Sequence, residues 1–382
     1  MRRPFAILTL LLAIVSAPVF AATTGPGPAF IVVDVDAGTV LYQSQSDRLW
    51  YPASVTKVMT AYLAFKALKA GDLKLTSPVK ITVNALSQAP SKMGFKVGTV
   101  LNVDNALKMM LVKSANDIAV AVAETVGGNE AKFVALMNSE ARRLGMASTH
   151  YDNPNGLPSP GQTTTARDLA VLARAAWIDF PEYRSYFGIP AIKAGRKILR
   201  SQNGLLEQYR GTAGMKTGFI CASGFNMVAT ARRSGRTVIA VVLGASSGAD
   251  RNETAARLLD QGFGTWLPKN KPDLATFQSS RSAGPAADLH DIVCGKRVQR
   301  EEDEGDDKTT RSSLGPRFFL MDPVAVFTGR ADDTTGDVTA PPSTKAPASG
   351  VPMPRLRPKY PAGSAAAYTA DPMAQTAAVT VR

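Results

Sequence analysis

The chain has 382 residues and a formal net charge of +13, enough length for one large folded domain or two smaller ones. Two of these positive charges are arginines in the first 21 residues, and residues 281–382 are neutral overall, with 13 basic and 13 acidic residues. Residues 22–280 therefore carry a net charge of +11. These basic residues are scattered, without a groove-binding motif or a set of stacking aromatic residues. The composition therefore argues against a nucleic-acid-binding protein.

The first residues predict a secretory signal peptide over residues 1–21. Arg2 and Arg3 precede an apolar run at 5–15, and small residues lead to an expected cleavage after Ala21. The run is too short for an ordinary membrane span, and no amphipathic anchor is evident later, so the sequence gives no sign of membrane attachment. We expect secretion across the inner membrane into the periplasm, where a basic domain suits an anionic cell-envelope polymer.

The apolar periodicity predicts strands at both ends of the folded part and helices between them. Strands are expected within 30–42, 212–217, 225–231 and 237–244, and helices at 54–68, 105–112, 117–126, 130–144, 165–177 and 252–263. Thr165 is expected to cap its helix. This order predicts an α+β fold, in which an antiparallel sheet built from N- and C-terminal strands packs against a helical cluster.

The composition changes after the closing helix. We predict one catalytic domain over residues 22–268, a weakly structured extension over 269–334 with short strands around 318–327, and a disordered Pro/Ala/Thr-rich tail over 335–382. Cys221 and Cys294 are either a disulfide or two independent buried thiols. Their spacing excludes a local metal knuckle.

The scarcity of histidine limits which residues could act as a catalytic base. His150 and His290 are the two histidines, and both lie in segments of weak pattern, so an imidazole base has few candidates. A serine can instead be activated by an unprotonated lysine. Ser54 and Lys57 share one helical face. An N-cap serine with a surface lysine is the simpler alternative, although a charge inside so apolar a helix needs partners or a task.

Two further motifs each allow a structural and a functional interpretation. Ser114, Ala115 and Asn116 lie between two helices, where they could cap a helix or reach into a cleft. Lys216-Thr217-Gly218 is expected at the end of a strand. It could bind a substrate carboxylate or form an ordinary turn.

The order and spacing of the three motifs match the signature of penicillin-binding proteins and serine β-lactamases. More narrowly, residues 29–263 resemble the low-molecular-mass D-alanyl-D-alanine carboxypeptidases, serine peptidases that act on peptidoglycan. The resemblance implies the penicillin-binding transpeptidase-like fold. The supporting stretches are YPASVTKVMT at 51–60, LVKSANDIA at 111–119, NPNGL at 153–157, TTARDLA at 164–170, GMKTGFICASGF at 214–225 and VIAVVLGA at 238–245.

The resemblance implies four catalytic residues. Ser54 would attack the carbonyl between the two terminal D-alanines and form an acyl-enzyme, and Lys57 would accept its proton. Ser114 would relay a proton to the leaving amine, and Asn116 would hold the substrate backbone. The motifs call for neither a metal nor another cofactor.

The resemblance also implies a substrate-binding strand. Lys216 and Thr217 would bind the terminal carboxylate, Gly218 would allow close backbone approach, and the backbone N–H groups of Ser54 and Phe219 would form an oxyanion hole. The expected partners are the peptidoglycan stem peptide and, as covalent inhibitors, β-lactam antibiotics.

Several alternatives remain at this stage. A β-lactamase of the same fold is disfavoured, because no glutamate occurs between Glu140 and Glu182 and because Ala115 stands where those enzymes usually carry an aspartate. A D,D-endopeptidase that cleaves peptidoglycan crosslinks is also open. A non-catalytic envelope-binding protein is disfavoured by the three intact motifs.

Overall fold

The computed structural model describes residues 27–265, 270–277, 284–295, 313–315, 317 and 321–329. The predicted signal peptide, 1–21, and the predicted tail, 335–382, lie outside the described residues. Within the described ranges, no helix is both long and apolar enough to cross a membrane.

Strands and helices alternate along the chain in blocks. The strands are β1 (Ala29–Asp34), β2 (Val40–Ser44), β3 (Pro78–Lys80), β4 (Val100–Asn102), β5 (Ala191–Ala194), β6 (Lys197–Arg200), β7 (Thr212–Ile220), β8 (Gly224–Arg233), β9 (Arg236–Ala245) and β10 (Val324–Val326). The helices are α1 (Lys57–Ala70), α2 (Val83–Ser87), α3 (Val103–Val112), α4 (Asn116–Gly127), α5 (Glu130–Arg143), α6 (Ala166–Asp179), α7 (Leu205–Gln208), α8 (Gly248–Gly264) and α9 (His290–Val293), with 3-10 segments at Ala53–Thr56 and Pro181–Gly188.

The central sheet joins the two ends of the folded part. Its five antiparallel strands lie in the order β2-β1-β9-β8-β7, with Ala29 of β1 opposite Leu243 of β9. The N-terminal hairpin therefore pairs directly with a strand about two hundred residues later, which confirms the predicted α+β plan. Strand β7 forms one edge of this sheet.

Both faces of the sheet are buried. Because side chains alternate along a strand, Ile239 and Val241 of β9 enter the large core with the helical cluster, whereas Ala240 and Val242 enter a second core with α8. This two-sided burial explains why β9 is a nearly continuous apolar run. The predicted cap of α6 is confirmed, since the Thr165 hydroxyl accepts a hydrogen bond from the Asp168 N–H.

Most predicted elements differ from the structure by a few residues at their ends, and two of these differences affect the candidate motifs. The helix predicted from Ser54 begins at Lys57, because Ala53 has φ +50° and the chain first makes a 3-10 turn. The Lys-Thr-Gly motif was predicted at a strand end, but it lies inside β7. That strand stays paired with β8 as far as Ile220, opposite Gly224.

Described residues beyond 268 pack on the same core. Leu274, Ala287 and Leu289 are buried in it, and β10 pairs in parallel with β5, within the range where short strands were predicted. Cys221, after β7, and Cys294, after α9, form a disulfide, which answers the question that the sequence left open.

We expect this disulfide to stabilise the fold, because it closes a loop across a sequence separation of 73 residues. Chain entropy predicts that C221A/C294A lowers the free energy of unfolding by about 4.4 kcal/mol. Urea denaturation of the oxidised wild type and the double variant measures this difference. Reduced wild type is the control and should match the variant; equal midpoints for the oxidised and variant proteins would contradict the expectation.

Candidate active site

Ser54 lies in a strained turn that two other segments hold from outside. The preceding Ala53 has φ +50°, a conformation that residues other than glycine rarely adopt. Asn226 of β8 donates from Nδ2 to the carbonyls of Tyr51 (2.9 Å) and Pro52 (3.2 Å), and its Oδ1 accepts from the Gly244 N–H at 3.0 Å. The central sheet thereby fixes the backbone that leads into Ser54.

Glycines lie on both sides of this turn. A Cβ on Gly218 of β7 would lie 2.8 Å from the Ser54 nitrogen and 2.9 Å from the Val55 nitrogen. On the other side, Gly156 has φ +89°, and a Cβ there would lie 1.9 Å from the Ala53 carbonyl oxygen. Only glycine, which has no side chain, allows the backbones to approach this closely at both positions. The turn is therefore clamped between β7 and the loop at 153–157.

A buried amine lies directly beside the serine. Lys57 is fully buried, and its Nζ is 2.9 Å from Ser54 Oγ, 2.7 Å from Asn116 Oδ1 and 2.6 Å from the Asn155 carbonyl oxygen. A buried amine is costly without polar partners, and these oxygens supply them. The Ser-x-x-Lys pair is thus not a helix cap with a surface lysine.

The Ser-x-Asn motif joins α3 to α4. Asn116 begins α4 and donates from Nδ2 to the Ala89 carbonyl at 2.9 Å, which leaves its Oδ1 for Lys57. Ser114 has φ +61° and is buried, and its hydroxyl has no hydrogen-bond partner within the part of the chain that the structure describes. An unsatisfied buried hydroxyl is uncommon and is consistent with a group that acts on a ligand.

The substrate-binding candidates lie in a row on the edge strand. Lys216 and Thr217 of β7 are buried, and Lys216 Nζ donates to the Thr217 carbonyl at 2.8 Å. The next residue, Gly218, packs against the turn that carries Ser54. The ring centroids of Phe219 and Phe225 are 4.3 Å apart. The fold therefore brings a cation, a hydroxyl and strand backbone to the turn that carries Ser54.

Sequence reasoning missed the contact of Asn155 with Lys57. Asn155 is fully buried, its carbonyl accepts from Lys57, and its Oδ1 accepts from the Leu157 N–H at 3.0 Å. The NPNGL stretch was noted, and its Asn-Gly pair predicts a tight turn, but a contact made by a backbone carbonyl leaves no residue-type signal.

Comparison with known proteins identifies the family. A family model described as D-alanyl-D-alanine carboxypeptidase matches residues 17–247. The chain is 35% identical over 262 residues to D-alanyl-D-alanine carboxypeptidase DacC of Escherichia coli, covering 66% of this chain and 65% of the relative. It is 33% identical to DacF of Bacillus subtilis, covering 61% of each. The matched region thus spans somewhat less than two thirds of these relatives.

Solved structures give the same result. Penicillin binding protein 5 from Haemophilus influenzae superposes with a TM-score of 0.60 at 32% identity, covering 62% of this chain and 70% of that one. Penicillin-binding protein D2 from Listeria monocytogenes, in its cefotaxime-bound form, gives a TM-score of 0.56 at 30% identity, covering 62% and 96%. The predicted transpeptidase-like fold is confirmed, and the chain belongs to the D-alanyl-D-alanine carboxypeptidase family of serine peptidases.

Proposed function

We propose that this chain is a serine-type D-Ala-D-Ala carboxypeptidase that removes the terminal D-alanine from peptidoglycan stem pentapeptides. The observation that carries the proposal is the fully buried Lys57 amine, 2.9 Å from Ser54 Oγ, in a chain of this family. A lysine in that position can serve as the base that histidine supplies in other serine hydrolases.

In the acylation step, Ser54 Oγ would attack the carbonyl carbon of the penultimate D-alanine as Lys57 takes the hydroxyl proton. The carbon–nitrogen bond then breaks, and the proton reaches the departing amine of D-alanine through Ser114. Asn116 would hold the peptide backbone of the substrate. Water then attacks the ester on Ser54, which releases the shortened peptide and restores the hydroxyl. A β-lactam would acylate the same oxygen.

Strand β7 would bind the substrate beside this serine. Among the described strands β7 is an edge of the central sheet, and an extended peptide can add to such an edge as a further strand. Lys216 and Thr217 offer an ammonium and a hydroxyl to the terminal carboxylate. The close approach at Gly218 supports an oxyanion hole made by the N–H groups of Ser54 and Phe219, which would stabilise charge on the attacked carbonyl oxygen.

The site of action would be the periplasm, reached by secretion across the inner membrane. The Cys221–Cys294 disulfide supports this location, because disulfides form and persist in oxidising compartments. The basic excess on residues 22–280 suits the anionic cell envelope rather than a nucleic acid.

The direct test is release of D-alanine from a pentapeptide that ends in D-Ala-D-Ala. Wild type should release it, whereas S54A and K57A should each lose roughly a thousandfold or more of the rate, because nucleophile and base act as a unit. Mass spectrometry after penicillin treatment should place one adduct on Ser54. No release by folded wild type would overturn the proposal, and sustained hydrolysis of a chromogenic cephalosporin would indicate a β-lactamase instead.

The substitution G218A tests the clamped turn. A methyl group 2.8 Å from the Ser54 nitrogen must push β7 and the turn apart. Misplacement on this scale predicts a loss of acylation rate of roughly a hundredfold. The rate is measured with a fluorescent penicillin. The matched control is G264A, which places the same methyl in open space at the end of α8 and should acylate like wild type. Equal rates for both variants would contradict the clamp.

A further inference from the structure

Two adjacent residues that no motif includes, Gln88 and Ala89, bind both amides that surround Lys57. Asn155 donates from Nδ2 to Gln88 Oε1 at 2.8 Å, and Asn116 donates from Nδ2 to the Ala89 carbonyl at 2.9 Å. Both asparagines also present an oxygen to Lys57 Nζ, the Asn155 carbonyl at 2.6 Å and Asn116 Oδ1 at 2.7 Å. One short segment after α2 therefore accepts hydrogen bonds from the side-chain amides of both residues.

The Gln88 side chain is itself held at both ends. Its Nε2 donates to the Asn84 carbonyl of α2 at 3.2 Å, and its Oε1 faces Asn155. Asn155 in turn uses Oδ1 for the Leu157 N–H. Both polar atoms of the buried Asn155 side-chain amide thus have hydrogen-bond partners. These bonds fix the orientation of Asn155 and of the backbone carbonyl that it presents to Lys57.

This orientation matters because of the valence of the base. A neutral primary amine has two N–H bonds and one lone pair. Lys57 Nζ lies within donor distance of Ser54 Oγ, Asn116 Oδ1 and the Asn155 carbonyl oxygen. When the amine is neutral and the two asparagine oxygens each accept one N–H, its lone pair would face Ser54 Oγ, the group that it would deprotonate. If the Asn155 carbonyl moves, one N–H loses its direction and the amine can rotate away from the serine.

We propose that Gln88 is a positioning residue for the base: through the Asn155 amide it holds the carbonyl that orients Lys57 toward Ser54. The inference rests on the proposed acyl-enzyme function. It concerns the rate of proton removal, not the binding of substrate, because Gln88 contacts neither Ser54 nor β7 by any hydrogen bond found among the described residues.

The test is acylation by a fluorescent penicillin, measured as a limiting first-order rate constant and a non-covalent binding constant. Q88M keeps the length of the side chain without an acceptor oxygen, and it should lower the rate constant roughly fivefold, the effect of one lost hydrogen bond, with the binding constant unchanged. Q88E keeps an acceptor and should recover the wild-type rate within about twofold. The matched control is S87A, which removes an exposed hydroxyl bonded to the same Asn84 carbonyl and should not change either constant.

A double-mutant cycle with N155A tests whether Gln88 acts by positioning Asn155 or whether Q88M only destabilises the surrounding structure. If Gln88 acts through the Asn155 side chain, Q88M should change the rate less than about twofold in the N155A background. The same fivefold loss in both backgrounds would overturn the inference, as would a wild-type rate in Q88M or an equal loss in S87A. Absence of acylation in wild type would instead remove the proposed function itself, so the two failures are distinct.

Discussion

The burial of the Lys57 amine is the constraint on which the site depends. A primary amine without contact with water needs oxygen partners, since its desolvation costs several kcal/mol when they are absent. Here the oxygens come from three separate parts of the chain: the 3-10 turn at Ser54, the start of α4 at Asn116, and the loop at Asn155. Folding must bring these segments together to bury the lysine at all. The serine that would react is one of its partners.

The convergence is possible because backbone approaches backbone without intervening side chains. Gly218 and Gly156 leave the space on either side of the turn, and Asn226 ties the residues before it to the sheet. Trp50 extends this anchoring. Its backbone pairs with Thr164, and its ring fills the space beside Gly244, where a Cβ would lie 2.1 Å away. The turn that carries Ser54 is therefore anchored on several sides, which suits a site that would hold a nucleophile and its base in a fixed geometry.

Much of the site was predictable because motif residues are chemically distinctive. A serine and a lysine three positions apart in an apolar segment, followed by Ser-x-Asn and Lys-Thr-Gly, predicted a shared cleft, and the structure joins Ser54, Lys57 and Asn116 by hydrogen bonds. The roles of Ser114, Lys216 and Thr217 stay predictions. Asn155 and Gln88 were not predicted. Asn155 contacts Lys57 through a backbone carbonyl, which every residue type has. Gln88 contacts Asn155, which lies 67 positions away in sequence.

By itself, the sequence determined the α+β class and the family and named Ser54 and Lys57 as the candidate reactive pair, because periodicity and motif order are local properties. Tertiary packing decided the rest. Contacts between distant segments decide which face of β9 packs against α8 and how far β7 continues beyond Gly218. They also decide that Ser54 lies in a turn before the helix. The same holds for the cysteines. Two thiols can bond only when the fold brings their backbones within about 7 Å, and here the Cα atoms of Cys221 and Cys294 are 5.5 Å apart.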